Sequence, residues 1–411
     1  MAPQSWRFLW PSSLAALAAW TLALIWSHLA GLAARQRWRA AGRPPGRPPS
    51  VSLAAGHRLT CVVTGASSGL GWALSRALFA AGHHVVLACP DPARGAAALQ
   101  ALRAVPEPSE PLVGGGSADY EPLDLRDPDS VREFCSRLPG LIPRGSASSL
   151  ELRGQPPPGR PPLGLLVLNA ACMPASEAWC PAAGASADFA ANCLGHALLV
   201  ELLLARARPE QSVRRDALVL NVTSFTHRCV RRSETGQLRR ALRGGRLAGF
   251  APPQAYHVSK WAALVLQGEL HRRRAALGLQ DYQLLHVDPG AVDSALVRHW
   301  PAALRGAFPA LLRPLRLAAS PVRAAARVLE ASSADVGGEG GEGAAQAGGR
   351  YVFAPQGGRA ALRPAALARC PRERERLWQA CRALRAWGPG HPARAGAPLQ
   401  VAEKENRSPV Q

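Results

Sequence analysis

Lysine is almost missing from this chain of 411 residues: the 49 basic side chains include only Lys260 and Lys404. Asparagine occurs at Asn169, Asn192, Asn221 and Asn406 alone, tyrosine four times and methionine twice. Where such scarce residues stand is therefore informative. The nine cysteines are odd in number, scattered, and never spaced CxxC, which excludes a zinc-ribbon pattern and suits reduced thiols better than a disulfide framework. No metal site is expected. Glycine has no three-residue period, so collagen is excluded, and recurring apolar runs exclude wholesale disorder. No internal repeat is visible.

What is present begins with an uncharged stretch at 14–34, LAALAAWTLALIWSHLAGLAA, long enough to cross ~30 Å of hydrocarbon. Ser27 and His28 weaken it, while Trp10, Trp26 and Trp38 suit interfacial positions. Arg35, Arg37, Arg39, Arg43 and Arg47 follow it and only Arg7 precedes it, so the positive-inside rule places the rest in the cytosol. A cleaved signal peptide would carry its charge ahead of the apolar run. The expectation is a membrane anchor over 1–40. The net charge of +21 comes from arginines dispersed without a recognisable nucleic-acid module, which argues against a nucleic-acid partner and for contact with an anionic leaflet.

Residues 41–56 form a Pro-rich linker that cannot continue the helix. Apolar runs at 59–63, 84–88, 163–168, 217–222 and 282–287, with another strand at 119–123, then alternate with helical patterns, one of which sets Leu70, Ala73, Leu74, Ala77 and Leu78 at helical spacing. Strands apolar on both faces predict a doubly wound α/β parallel sheet covered by helices, a single domain over 57–373. Gly-, Pro- and Ser-rich stretches near 105–118, 143–162 and 336–349 read as surface insertions, and 374–411 as a C-terminal helix and tail.

The first strand runs into Thr64-Gly65-Ala66-Ser67-Ser68-Gly69-Leu70-Gly71, a strand-to-helix turn that lets a pyrophosphate approach the positive end of a helix. Tyr256 and Lys260 are four apart on a predicted helix, so they share a face and the ammonium is expected to lower the phenol. Ser224 ends an apolar strand, Asn169 closes another, and Asn192 stands in a helical segment at 188–200. An apolar helix rarely carries an Asn without a buried partner. Asp288-Pro289-Gly290 ends the sixth strand, with Ser294 beyond it.

In this order and spacing, residues 57–300 resemble the short-chain dehydrogenase/reductase family, which implies a Rossmann-type fold and an NAD(P) cofactor. The resemblance implies that Thr64, Gly65, Ser67, Ser68, Gly69, Leu70 and Gly71 bind the dinucleotide. Asp124 would contact adenine, Asn169 and Ala170 would form the floor, and Pro289, Gly290 and Ser294 would face the nicotinamide. Tyr256 would exchange the proton, Lys260 would bind the ribose, Ser224 would polarise the carbonyl, and Asn192 would hold a relay water. The anchor, HVVLACPDPARG, NCLGHALL and GGRYVF look most like the membrane-bound retinol-dehydrogenase-like branch. Its X-chromosomal polyprenol-dehydrogenase relative and the plant forever-young oxidoreductases share similar features.

The chain departs from the pattern at Ala171, where the family has glycine, and at Cys89-Pro90, where NAD-selective relatives are acidic. Arg94 tilts the reading toward NADP. The expectation is an oxidoreductase acting on a lipophilic alcohol/carbonyl pair (retinoid, steroid or polyisoprenoid), single-pass in the endoplasmic reticulum with its catalytic domain in the cytosol, and allowing a homodimer. The alternative is a catalytically weak dinucleotide-binding scaffold. An Arg-studded apolar stretch after Ser294 is expected to cover the substrate.

Overall fold

A computed structural model describes residues 11–40, 58–105, 115–141, 162–173, 179–205, 213–244, 250–294, 296, 317–333, 349–356 and 364–384. The 41–56 linker, most of the three insertions, nearly all of the stretch after Ser294, the tail beyond 384 and Asn406 lie outside them.

Helix α1 (Pro11–Ala40) precedes seven strands: β1 (Thr60–Thr64), β2 (His84–Cys89), β3 (Ser117–Pro122), β4 (Leu163–Leu168), β5 (Val213–Val222), β6 (Gln283–Asp288) and β7 (Arg350–Phe353). They form one sheet in the order β7-β6-β5-β4-β1-β2-β3, with every pair parallel. The order reverses between β1 and β4, and at such a switch point the loops leaving the carboxyl ends part to form a crevice.

Alternate strand residues point to opposite faces. Val62, Val86 and Leu166 enter one core with Phe134, Leu198 and Trp261. Cys61, Val85, Leu165 and Val167 enter the other with Leu74, Leu78 and Val328. Two dry faces explain why successive strand positions are apolar. The covering helices are α2 (Gly69–Ala80), α3 (Pro92–Arg103), α4 (Pro128–Leu141), α5 (Gly195–Leu203), α6 (Arg232–Gly244), α7 (Pro252–Arg273), α8 (Pro321–Ser333) and α9 (Pro371–Arg382). The strand expected at 119–123 runs from Ser117 to Pro122. The continuous helix expected at 188–200 is broken by a π-helical turn, Ala190–Leu194, ahead of α5. Gly195 lies so close to the chain after β3 that a Cβ there would stand 2.2 Å from the Leu125 carbonyl oxygen.

The C-terminal helix expected from 374 starts at Pro371 and is packed into the domain. Leu377, Trp378 and Cys381 are buried, and the fully buried Glu269 of α7 pairs with Arg272, Arg273 and Arg374.

Among the described residues one segment, Ala15–Ala33 in α1, is long and apolar enough to cross a membrane. Its three polar residues are satisfied within the helix: Thr21 Oγ1 donates to Leu17 O at 3.1 Å, Ser27 Oγ donates to Ala23 O at 2.7 Å, and His28 Nδ1 lies 3.0 Å from Leu24 O. One face, Ala16, Trp20, Leu24 and Ser27, is buried on the domain. Leu22, Ile25, Trp26, Leu29 and Leu32 are exposed.

Candidate active site

At the end of β1 the chain turns through Gly65 (φ 67°) and Gly69 (φ 57°) into α2, backbone that L side chains rarely adopt. A Cβ on Gly71 would stand 2.3 Å from the Gly65 carbonyl oxygen and 2.5 Å from Asn169 Nδ2. Thr64 holds this turn to the end of β4. Its hydroxyl accepts from the backbone N–H of Asn169 (2.9 Å) and of Ala170 (3.0 Å), and Asn169 Nδ2 donates to its carbonyl at 2.9 Å. His196 Nε2 lies 2.9 Å from the same hydroxyl, and burial takes that imidazole down to about 3, so it is neutral.

Helix α7 starts at Pro252, whose missing N–H costs nothing in the first turn, and one turn later presents Tyr256 and Lys260 to a common cleft. Lys260 Nζ donates to Val222 O at the end of β5 (3.0 Å) and lies 6.0 Å from the Tyr256 ring centre. Ser224, two residues on, lines the same cleft as Tyr256 and accepts from Thr226 N at 3.3 Å and Thr226 Oγ1 at 3.0 Å.

The charge balance corrects one expectation. Burial pushes the Tyr256 phenol well above its ordinary value, opposed by the Ser224 hydrogen bond, and burial pulls Lys260 down to about 8. The ammonium donates to a backbone carbonyl, and loss of water dominates at the phenol.

Asn192 stands inside the π turn. Its Oδ1 accepts from Cys172 N (2.8 Å), and its two amide protons go to Cys172 O and Ser259 Oγ, both at 2.9 Å. These three bonds position the chain after β4 against α7.

The cleft has a volume of about 420 Å³. Thr64, Gly65, Ser67, Ser68, Gly69, Leu70, Asp124, Asn169, Ala170, Ser224, Tyr256, Lys260, Pro289, Gly290 and Ser294 line it; Gly71 and Asn192 lie behind its wall. Asp124 is held in a fork by Arg126, whose Nε and Nη2 reach its two oxygens at 3.0 and 2.7 Å. Burial opposes ionisation there, but Arg126 outweighs it and keeps the carboxyl below its ordinary value.

No protein-family profile matches the chain. Over 274 residues it is 33% identical to polyprenol dehydrogenase of Mus musculus, covering 66% of this chain and 69% of that protein. Over 245 residues it is 32% identical to retinol dehydrogenase 12 of Bos taurus, covering 58% of this chain and 63% of that protein. The chain belongs to the short-chain dehydrogenase/reductase family. Membership makes it an NAD(P)-dependent dehydrogenase. The fold also resembles a crystal structure of an uncharacterised protein from Mycobacterium paratuberculosis, with TM-score 0.53 and 24% identity over 82% of this chain and 97% of that one.

The dehydrogenase fits a dinucleotide. Ser68, the residue before α2, makes no side-chain cap, and Ser68, Gly69 and Leu70 line the cleft, so the first turn of the helix is open to a pyrophosphate. A Cβ on Gly69 would intrude on Ser294 at 3.3 Å.

The departures have physical accounts. The Ala171 methyl packs in an apolar cluster with Trp20, Met173, Phe225 and Tyr256. Cys89 is buried, its thiol donates to Asp91 O at 3.9 Å, and the Asp91 carboxylate caps α3 through Ala93 N and Arg94 N. The sequence reading missed Trp20, Arg126, Met173, Phe225 and Leu296, all of which line the cleft. Arg126 had a local signal, two residues from Asp124. Met173, Phe225 and Leu296 had the same signal, lying within two residues of Ala171, Ser224 and Ser294, and only Trp20 among these five reaches the cleft by folding alone.

Proposed function

We propose that this dehydrogenase interconverts a lipophilic alcohol and its carbonyl, of retinoid, steroid or polyisoprenoid type, with NADP favoured over NAD. It works attached to a membrane through α1, in the endoplasmic reticulum, with the catalytic domain on the cytosolic side. The observation that carries the reading is the meeting of Tyr256, Ser224 and Lys260 at one end of a cleft whose other end is the glycine turn. The relatives named for polyprenol and retinol support the lipophilic class.

In the reducing direction Tyr256 gives its phenolic proton to the carbonyl oxygen, and in the oxidising direction its phenolate takes the alcohol proton. Ser224 hydrogen-bonds the same oxygen and holds it against the phenol. Lys260, fixed by Val222 O, supplies positive charge beside the phenol as its proton leaves and would bind the nicotinamide ribose. The bound nicotinamide supplies or accepts the hydride. The NADP preference rests on three features: β2 ends in a buried thiol, Asp91 is committed to capping α3, and Arg94 lines the cleft where a 2′-phosphate would lie.

The test follows nicotinamide absorbance with full-length protein and retinaldehyde, with Tyr256→Phe beside it. Turnover in the wild type and its loss by about 10²-fold or more in the variant is expected. Equal rates in both proteins would return the chain to the role of a dinucleotide-binding scaffold.

A further inference from the structure

We propose that the N-terminal helix is a wall of the substrate site, and that Trp20 on it positions a lipophilic substrate over Tyr256. The inference rests on the oxidoreductase reading above and deepens it. Trp20 is buried, lines the cleft, and sets its ring 5.6 Å from the ring of Tyr256.

Two sets of contacts hold it there. The indole Nε1 donates to His257 Nδ1 at 3.2 Å, and because an indole N–H only donates, that imidazole nitrogen is the acceptor. The other, Nε2, therefore carries the proton that reaches Glu234 Oε1 at 3.2 Å, while Glu234 Oε2 accepts from Arg231 N at 2.7 Å. Burial pushes the Glu234 carboxyl up, but the hydrogen bonds from His257 and from Arg231 N prevail and hold it low, ready to accept. One turn or two further along α1, the Arg228 guanidinium lies over the Trp26 ring at 4.6 Å, and His28 meets the Phe353 ring edge-on at 5.0 Å.

The cleft is divided by chemistry. Around Tyr256 its walls are Trp20, Ala171, Met173, Phe225 and Leu296, apolar side chains suited to a hydrocarbon. Toward the glycine turn stand Arg94, Asp124 and Arg126, suited to a dinucleotide. The outer face of α1 carries Leu22, Leu29 and Leu32 at 68%, 62% and 45% exposure. One helix thus offers an apolar face to lipid and an indole to the reacting centre, a short path for a membrane-dissolved substrate. A helix drawn into a crossing orientation would remove Trp20 from the cleft.

The experiment uses full-length protein in phosphatidylcholine vesicles with NADPH and all-trans-retinaldehyde. Trp20→Ala is expected to raise KM about tenfold, the share of an aromatic face buried against a hydrocarbon, with kcat within about twofold. Trp20→Phe keeps the ring, loses the His257 hydrogen bond, and is expected to recover most of the loss. An unchanged KM in Trp20→Ala overturns the proposal, as does an equal fall of kcat and thermal midpoint in both variants. A second readout needs no turnover: a photoreactive retinoid is cross-linked and trypsin releases residues 8–35 between Arg7 and Arg35. An adduct on Trp20 that excess retinaldehyde competes away supports the wall, and adducts confined to Leu22 and Leu29 overturn it. A competed Trp20 adduct together with equal turnover in wild type and Tyr256→Phe retains the wall and discards the redox reading.

Discussion

Asn169 Nδ2 donates to the Thr64 carbonyl at 2.9 Å, and this bond ties the two strands between which the sheet reverses direction. The amide that closes β4 is thereby used to shape the turn that closes β1. A backbone carbonyl that points into a crevice must be paired, and pairing it across the switch point keeps the glycine turn open toward the cleft.

Gly71→Ala tests this clamp. The new methyl has nowhere to go, with a backbone oxygen at 2.3 Å and Asn169 Nδ2 at 2.5 Å. NADPH affinity, measured by quenching of protein fluorescence, is expected to fall about tenfold or more, with a lower thermal midpoint. Unchanged affinity would show that the clamp does not shape the dinucleotide site.

Lys260 sets an alkaline limit. Burial lowers its ammonium to about 8, so the free enzyme loses that positive charge as pH rises through about 8. The value of kcat/KM for NADPH, which reports free-enzyme groups, is expected to fall over that range. Lys260→Arg, which stays charged, should lose activity but also lose that limb. A limb unchanged in the variant would assign it to another group.

Asp288 is fully buried, and burial raises its carboxyl to about 6 despite hydrogen bonds from Gly290 N (2.9 Å) and the Tyr351 hydroxyl (2.8 Å). An acid raised in the fold contributes stability that is complete below its unfolded value near 3.8 and is lost as pH rises toward 6. The swing is about 3 kcal/mol. Asp288→Asn carries no charge but has one acceptor oxygen where the carboxylate has two, which costs about 1 kcal/mol. In urea titrations the variant is expected to be the less stable at pH 4 and the more stable at pH 7.5. A difference independent of pH would show that Asp288 does not titrate in this window.

Arg94→Ala tests cofactor choice. It is expected to raise KM for NADPH by about tenfold, the scale of one charge-assisted phosphate contact, and to leave KM for NADH within about twofold. Equal changes for both would place the 2′-phosphate elsewhere.

Much of the fold was legible because the signal was local. Strands such as 163–168 are apolar at every position because both faces of a parallel sheet are dry, and Leu70, Leu74 and Leu78 mark the inner stripe of α2 at helical spacing. The glycine turn is local too, since Gly65 and Gly69 meet requirements of backbone angle. The π turn around Asn192 was not legible. It depends on Cys172 and Ser259, which are 20 and 67 residues away.

The sequence by itself determined that Tyr256 and Lys260 share a helix face, because four residues make about one turn, and that a glycine turn follows the first strand. Only the tertiary structure decided that Ser224 meets the phenol, that Arg126 grips Asp124, and that Trp20 comes from the anchor to stand beside Tyr256. The reason is physical. Helical periodicity acts over a few residues, whereas Trp20 and His257 are 237 residues apart, and their meeting depends on how every intervening element packs.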